Sequence, residues 1–296
     1  MRELREMEFL STKTVVSLLA LVFLLTIFGC TLAFLAEAED EFPAQARERV
    51  EPLSSSTDSC HARPARTPYG PGEWFQFSIQ YGVIRAGDAL MQVEDIEEMG
   101  GRQCYHLISK AESTDFFSVF YKVRDRVDSY LDTEDFVTRR FSKRTLEGKH
   151  RAAFDVDFDH ALHIAKYSDG TEMEFLPCAQ DVLSAFYYIR TLDLHVGQQV
   201  EVPCHSDKRN YPLYVMIHRK ETVRTPMGKF DCLVVEPILK SSGVFQQKGR
   251  LTIWLTNDEY KIPVLMKSKV AVGSISAIIT GMHLENAGGK YAKYAK

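Results

Sequence analysis

The chain has 296 residues, of which 45% are apolar and 26% charged, so it is neither a disordered polyelectrolyte nor a polytopic membrane protein. With 17 glycines and 11 prolines it is not collagen-like or low-complexity, and a globular part with its own core is expected. Its 36 Lys and Arg against 40 Asp and Glu give a formal net charge of -4, which offers no basic footprint to a nucleic acid.

Residues 1–14 read as a cytoplasmic N-region in which Arg2, Arg5 and Lys13 balance Glu3, Glu6 and Glu8. From Val15 to Ala36 no residue is charged. A helix of this length spans the roughly 30 Å hydrocarbon layer, so the membrane is the partner expected for this segment. Residues 15–38 are read as a signal peptide or a retained anchor. Ala36-Glu37-Ala38 supplies a small-x-small cleavage site, whereas the run exceeds the usual apolar core of about 7 to 15 residues. Acidic Glu37, Glu39, Asp40 and Glu41 beyond it leave the N-terminus inside and the remainder exported, to the cell envelope or periplasm. Ile27-Phe28-Gly29-Cys30 resembles the lipobox of bacterial lipoproteins, which makes Cys30 a candidate lipidation site; a cysteine simply buried in the bilayer is the alternative.

Residues 39–68, with Pro43, Pro52, Pro64, Pro68 and the run Ser54-Ser55-Ser56-Thr57, read as a Pro/Ser-rich tether. From there to residue 285 the dominant period is two, as in half-buried strands. Phe75, Phe77, Ile79 and Tyr81 alternate with Trp74, Gln76, Ser78 and Gln80. Alternation resumes around Ala89 to Val93 and, after Gly100-Gly101, over Cys104 to Ala111. Further strands are predicted over Val123 to Leu131, Phe136 to Arg144, His150 to Asp159, Leu162 to Tyr167, Tyr211 to Val223, Lys229 to Pro237, Arg250 to Leu255, Pro263 to Lys269 and Ser274 to His283. One helix is predicted from Asp181 to Asp193, with Asp181 as its N-cap and Val182, Ala185, Phe186 and Ile189 on its apolar stripe. A solitary helix cannot cover so large a sheet. The expected fold is therefore mainly β, a strongly curled antiparallel sheet (half-barrel or spiral roll) beside the N-terminal membrane helix. Residues 286–296 form a flexible basic tail.

Signature motifs of serine hydrolases, zincins, nucleotide binders and acyl-enzymes are missing, and neither a metal nor a cofactor is predicted. Cys60, Cys104, Cys178, Cys204 and Cys232 form no CxxC pair; they read as one or two disulfides or as buried small hydrophobes. Asp155, Asp157 and Asp159 share a strand face and sit nearly 7 Å apart, which suits a solvated face better than a cation site. Arg124, Arg126 and Asp128 share another face, as an ion-pair ladder or an anion patch. His61 beside Cys60 and His205 beside Cys204 lack second ligands at metal spacing. The aromatic load is high, and Trp74, Phe77, Tyr81, Phe117, Tyr121, Phe186 and Trp254 are the candidates to line an apolar ligand site within the curl, with plain core packing as the other reading.

Several stretches resemble the bacterial family catalogued as domain of unknown function 3108 (DUF3108). They are Gly72-Glu73-Trp74-Phe75-Gln76-Phe77 with Tyr81-Gly82, the run Ser113 to Asp128, Gln180 to Arg190, Gly228-Lys229-Phe230, Trp254-Leu255-Thr256-Asn257-Asp258, Ile262-Pro263-Val264 and Gly273-Ser274-Ile275. The resemblance covers about Tyr69 to Leu284. It implies an exported or envelope-located protein with a strongly bent sheet, and it carries no catalytic residue.

The expected function is that of a non-enzymatic envelope protein that binds a lipid-like ligand or an envelope protein through its sheet. A scaffolding module pairing by its sheet edge is the alternative, and an envelope-polymer hydrolase using carboxylates such as Asp155 or Asp181 is the third reading.

Overall fold

The computed structural model describes residues 67–239, 251–269, 273–284 and 291. The segment Val15 to Ala36, Cys30, Cys60, His61, nearly all of the tether and most of the basic tail lie outside the described residues.

The alternating segments become fourteen antiparallel strands among the described residues. They are β1 (Trp74–Tyr81), β2 (Ile84–Met99), β3 (Arg102–Ser113), β4 (Val123–Asp132), β5 (Thr138–Glu147), β6 (His150–Asp159), β7 (Ile164–Tyr167), β8 (Glu172–Glu174), β9 (Gln199–Ser206), β10 (Arg209–Thr225), β11 (Gly228–Leu239), β12 (Leu251–Thr256), β13 (Pro263–Lys269) and β14 (Ser274–His283). All belong to one sheet in the order β8-β7-β6-β5-β4-β3-β2-β1-β14-β13-β12-β11-β10-β9. Two meanders thus meet where β1 pairs with β14, and the ladder does not close, because β8 and β9 are its two ends.

Local chemistry sets the register. Phe75 and Phe77 are fully buried and Ile79 nearly so, while Gln76 between them is exposed, as period two requires. Gly87 lets β2 approach β3 closely, since a Cβ there would lie 2.4 Å from the Glu112 carbonyl oxygen. Between β9 and β10 the turn residues Asp207 and Lys208 have φ of 47° and 61°, the backbone of a two-residue type I′ hairpin.

Two helices interrupt the sheet. A single turn, α1 (Asp115–Ser118), was not expected from the sequence. The predicted helix is present as α2 (Val182–Thr191), capped by Asp181, whose carboxylate accepts from the N–H groups of Leu183 and Ser184 at 2.7 and 3.0 Å. Its buried face differs from the predicted stripe. Ala185 and Ile189 are buried, but Val182 and Phe186 are only half-buried, whereas Leu183, Ser184, Tyr187 and Arg190 go inside. Hydropathy could not foresee this, because Ser184 and Arg190 enter through polar partners. Ser184 bonds the Thr138 hydroxyl at 2.7 Å, and Arg190 pairs with Glu73 at 2.6 and 2.9 Å.

α2 packs on β3, β4 and β9. The segment leading into it also joins the two end regions of the sheet. The Gln180 N–H donates to the Pro203 carbonyl and the Gln180 carbonyl accepts from the His205 N–H, both at 2.9 Å. The Tyr167 hydroxyl lies 2.8 Å from His205 Nε2 and accepts from the Lys208 N–H at 2.8 Å. Cys104, Cys204 and Cys232 are free, buried thiols, and Cys178 forms a disulfide whose partner lies outside the described residues. One contiguous apolar cluster runs through both meanders, from Phe158 on β6 to Val215 on β10.

Candidate functional site

In an antiparallel meander alternate turns fall at the same end. The β1–β2 turn, the β3–β4 linker that carries α1, and the β5–β6 turn therefore share one end of the sheet. Hydrogen bonds tie them together: the Thr114 N–H donates to the Ala86 carbonyl at 2.9 Å, and the Gly148 N–H to the Lys122 carbonyl at 2.8 Å. Gly148 is needed there twice over, for its φ of 60° and because a Cβ would meet the Tyr121 ring at 2.8 Å. Ser113 Oγ staples the linker, accepting from the Val123 N–H at 2.9 Å and bonding Ser118 Oγ at 2.8 Å.

This end exposes apolar side chains. Val83 is 96% exposed, Val119 80% and Phe116 68%, with Ile84 and Phe120 also exposed. Phe116 packs edge-on against Phe117 and Phe120, with ring centres 5.8 and 5.7 Å away. The three rings thus build a ridge of their own.

Toward the same end, on the inner face of β4 and β5, lies a buried group of two acids and one amine. Cross-strand partners project on one face, and the pairs Val123↔Glu147, Asp125↔Thr145 and Val127↔Lys143 place Asp125, Lys143 and Glu147 on the face of Val127 and Phe141. Asp125 accepts from the Leu146 N–H at 2.9 Å through Oδ1, but its Oδ2 has no partner among the described residues. Burial, with Glu147 adding to it, pushes the Asp125 carboxyl up to about 7 against the opposing Leu146 bond. Glu147 is likewise raised by burial and its Oε2 is unpartnered. Lys143 reaches Asp207, at the β9–β10 tip, at 3.5 Å and lies 5.9 Å from the Phe154 ring centre. The Asp207 carboxyl is raised by burial. Burial, reinforced by the charges of Glu147 and Asp125, pushes the Tyr121 phenol up to about 12. Lys143 acts on all three carboxylates, with His150 also acting on Glu147 and Arg209 on Asp207, yet Asp125 Oδ2 and Glu147 Oε2 lack a donor among the described residues, an arrangement that favours a proton or a donor group beside them.

Of the residues singled out by sequence, Phe117 and Tyr121 are in this linker, with the Tyr121 N–H donating to the Phe117 carbonyl at 2.8 Å; both are half-buried. Tyr81 is half-buried at the same end, its ring against Gly273. Phe77 is fully buried within the core cluster. Trp74 lies at the other end of β1 and on its other face, stacked on His283 with centres 6.5 Å apart and lying over Gly281. Phe186 is half-buried on α2, and Trp254 is buried in β12, across from Val234 and Leu265. The seven aromatics are thus not gathered into one place.

The polar candidates are dispersed too. Asp155 binds Arg144 at 2.8 Å, Asp157 faces Arg140 at 3.5 Å, and Asp159 accepts from the N–H groups of Ala161 and Leu162. Arg124 reaches Glu112 at 3.3 Å and Arg126 reaches Asp128 at 2.6 Å, in a ladder. Asp128 also bonds His106 Nε2 at 2.9 Å, and Glu97 bonds its Nδ1 at 2.6 Å. Asp181 is held by the Ser129 and Thr138 hydroxyls at 2.6 and 2.9 Å besides capping α2. His205 bonds Tyr167 and Asn210.

Sequence reasoning missed Asp125, Lys143 and Glu147 as a group, although the signal was available: each stands in the apolar phase of its strand. It also missed the buried Glu73–Arg190 pair, around which the rings of Tyr69, Phe75 and Tyr187 stand 5.1 to 5.2 Å from the guanidinium carbon. An open cleft of about 360 Å³ adjoins Arg190, lined by Pro68, Leu194, Leu233, Asp258 and Lys261 among others.

Among solved structures, a β-barrel-like protein of the domain of unknown function DUF1849 from Brucella abortus aligns with a TM-score of 0.51 and 11% identity, covering 73% of this chain and 98% of that one. This is a likeness of fold alone. A candidate lipoprotein from Parabacteroides distasonis (TM-score 0.33, 10% identity, 73% and 98% covered) and a candidate exported protein from Bacteroides fragilis (0.32, 12%, 73% and 97%) align more loosely. No curated protein matches the chain. The family model described as a protein of unknown function, DUF3108, matches residues 76–280, and the chain belongs to that family.

Proposed function

We propose that the chain is a non-enzymatic, extracytoplasmic β domain that takes up a lipid-like ligand at the Phe116/Phe120 end of its sheet, the sheet curling around its own apolar face. The observation that carries this reading is an apolar ridge at the same end of the sheet as buried carboxylates with unpartnered oxygens, a combination suited to a molecule with an apolar body and a donor-bearing head.

The curl is supported by distances that a flat sheet would not allow. β10 comes within 8 Å (Cα to Cα) of β13 and β14, yet strands three positions apart in a flat sheet would be roughly 14 Å from each other. α2, one short helix, packs on β4 and on end strand β9, and Tyr167 on β7 touches His205 on β9. Export is supported by the Cys178 disulfide, since such bonds persist in oxidising compartments. Edge pairing is less well served: β8 offers three residues, while β9 contains Pro203 and is already bridged by Gln180. The hydrolase reading loses its named acids, since Asp155 is paired with Arg144 and Asp181 is consumed as a helix cap.

Titrating the delipidated full chain with a fluorescent long-chain alkylamine, and with a sulfonate of equal length, tests the proposal. Saturable uptake of one amine per chain, weakened about tenfold by Asp125→Asn with Glu147→Gln through loss of charge-assisted bonds, is expected. Absence of saturable uptake of either probe overturns it.

A further inference from the structure

The two ends of the sheet differ in a way that ligand uptake does not require. Of the nine large apolar residues exposed among the described residues, five (Val83, Ile84, Phe116, Val119 and Phe120) are at the β1–β2 and β3–β4 end. Cations accompany them. Lys122 closes the linker and Lys149 sits in the β5–β6 turn beside it; both are exposed and neither has an ion-pair partner among the described residues. Arg85, in the first hairpin, is exposed and pairs with Asp88 at 2.6 Å. The acid of α1 is Asp115, and Glu112 is taken by Arg124. At the opposite end the β2–β3 turn is Gly100-Gly101, and the β4–β5 turn holds the Arg102–Asp132–Asp135–Arg139 ion-pair network; the other four exposed apolar residues, Ile96, Leu162, Leu176 and Val196, are set singly in β2, in the β6–β7 turn and in the segments on either side of α2, and none is as exposed as Val83, Val119 or Phe116.

Apolar tips flanked by unpaired lysines match a bilayer interface: the side chains enter the acyl boundary while the ammonium groups meet anionic headgroups. We infer that this end of the sheet docks on the surface of a membrane containing anionic lipid, with Phe116, Val119 and Phe120 inserted and Lys122 and Lys149 at headgroup level. The occupant follows from charge complementarity. A second copy of this chain would set Lys122 and Lys149 against like charges around a shared axis, whereas an anionic lipid surface neutralises them. This inference shares the Phe116/Phe120 ridge with ligand uptake but does not use the buried acids, so each can fail while the other stands.

The test uses the full chain with Val119→Cys carrying an environment-sensitive nitrobenzoxadiazole dye, and Gly101→Cys carrying the same dye as the opposite-end control; Cys104, Cys204 and Cys232 are buried. Each is reconstituted in vesicles of phosphatidylcholine with or without 30% phosphatidylglycerol. Docking predicts a blue shift of the Val119→Cys label, and quenching by doxyl lipid, in the anionic vesicles only, with the Gly101→Cys label unchanged. Lys122→Gln with Lys149→Gln lowers the docked-to-undocked ratio roughly thirtyfold, from about a fivefold contribution per lysine. Phe116→Ser with Phe120→Ser abolishes the shift at unchanged far-UV circular dichroism. Equal shifts at both labels, equal shifts in neutral and anionic vesicles, or a shift that grows with protein concentration in vesicle-free detergent, as self-association would give, overturn the inference. Retained docking with no alkylamine uptake refutes the proposed ligand site alone, and the converse refutes docking alone.

Discussion

Glu73 and Arg190 show how a single pair can hold distant parts of the chain. The guanidinium is fully buried, bonded to both Glu73 oxygens and to the Tyr260 carbonyl at 3.1 Å, so it ties α2 to the start of β1 and to the β12–β13 connection. Removing one partner strands the other charge in a low-dielectric site. Arg190→Met alone is expected to lower the unfolding free energy in urea by about 3 to 5 kcal/mol, and the double variant with Glu73→Met by much less. Asp125 acts in the opposite sense. Its carboxyl, pushed up to about 7 by burial, binds a proton more tightly folded than unfolded, so its contribution to stability declines as pH rises from about 4 to 7 and stays low above. Asp125→Asn should therefore stabilise the fold at pH 8 by on the order of 1 to 2 kcal/mol and do little at pH 4 in thermal melts. At His106 burial opposes the charge, but the bonds to Asp128 and Glu97 prevail and raise the imidazole above its usual value. That stabilisation is complete below about 6.5 and fades as pH climbs through the raised value, so His106→Gln should cost about 1 kcal/mol at pH 5.5 and less at pH 8.5.

At the level of elements, α2 is fixed at its first turn as firmly as at its last. Asp181 serves two helix N–H groups and two strand hydroxyls at once, all of them buried. Asp181→Ala should cost about 2 to 3 kcal/mol, more than an exposed cap, and should speed amide hydrogen exchange in α2 before it does so in the central strands. This helix was legible in the sequence because Asp181 opens an amphipathic run inside a period-two chain. The strands from β1 to β7 and from β10 to β14 were legible for the same reason, since Phe, Val and Ile recur at every second position. β8 was not, being three residues, two of them Glu, and β9 was not, because Pro203 stands within it even though Val200, Val202 and Cys204 keep its alternation. α1 was hidden by its shortness; Thr114 caps a turn too brief to show periodicity. Within the candidate site, Phe117 and Tyr121 could be found from composition. Asp125 and Glu147 were passed over because hydropathy assigns carboxylates to the outside, although each falls in the apolar phase of its strand and the pairing of β4 with β5 turns both inward.

For the whole molecule, the reach from β7 to β9 distinguishes a curled sheet from a flat one. Spin labels at Lys166 and Glu201, both exposed, would be roughly 57 Å apart across twelve flat strand spacings, but under about 25 Å if the sheet curls so that the Tyr167–His205 contact persists; double electron–electron resonance reads the difference. The position of β1 against β14 has a further outcome. Each meander closes through neighbours in sequence, yet the seam between them joins Gln76 to Thr280, 204 residues away. A chain delivered N-terminus first can zip neither half onto the other until almost its last strand has emerged, so the seam is the late, slow event of assembly. During synthesis and any translocation, β1 waits with one flank bare, which makes this strand the point where a holdase would have most to protect and where truncation before Ser274 would leave two half-sheets without a common spine.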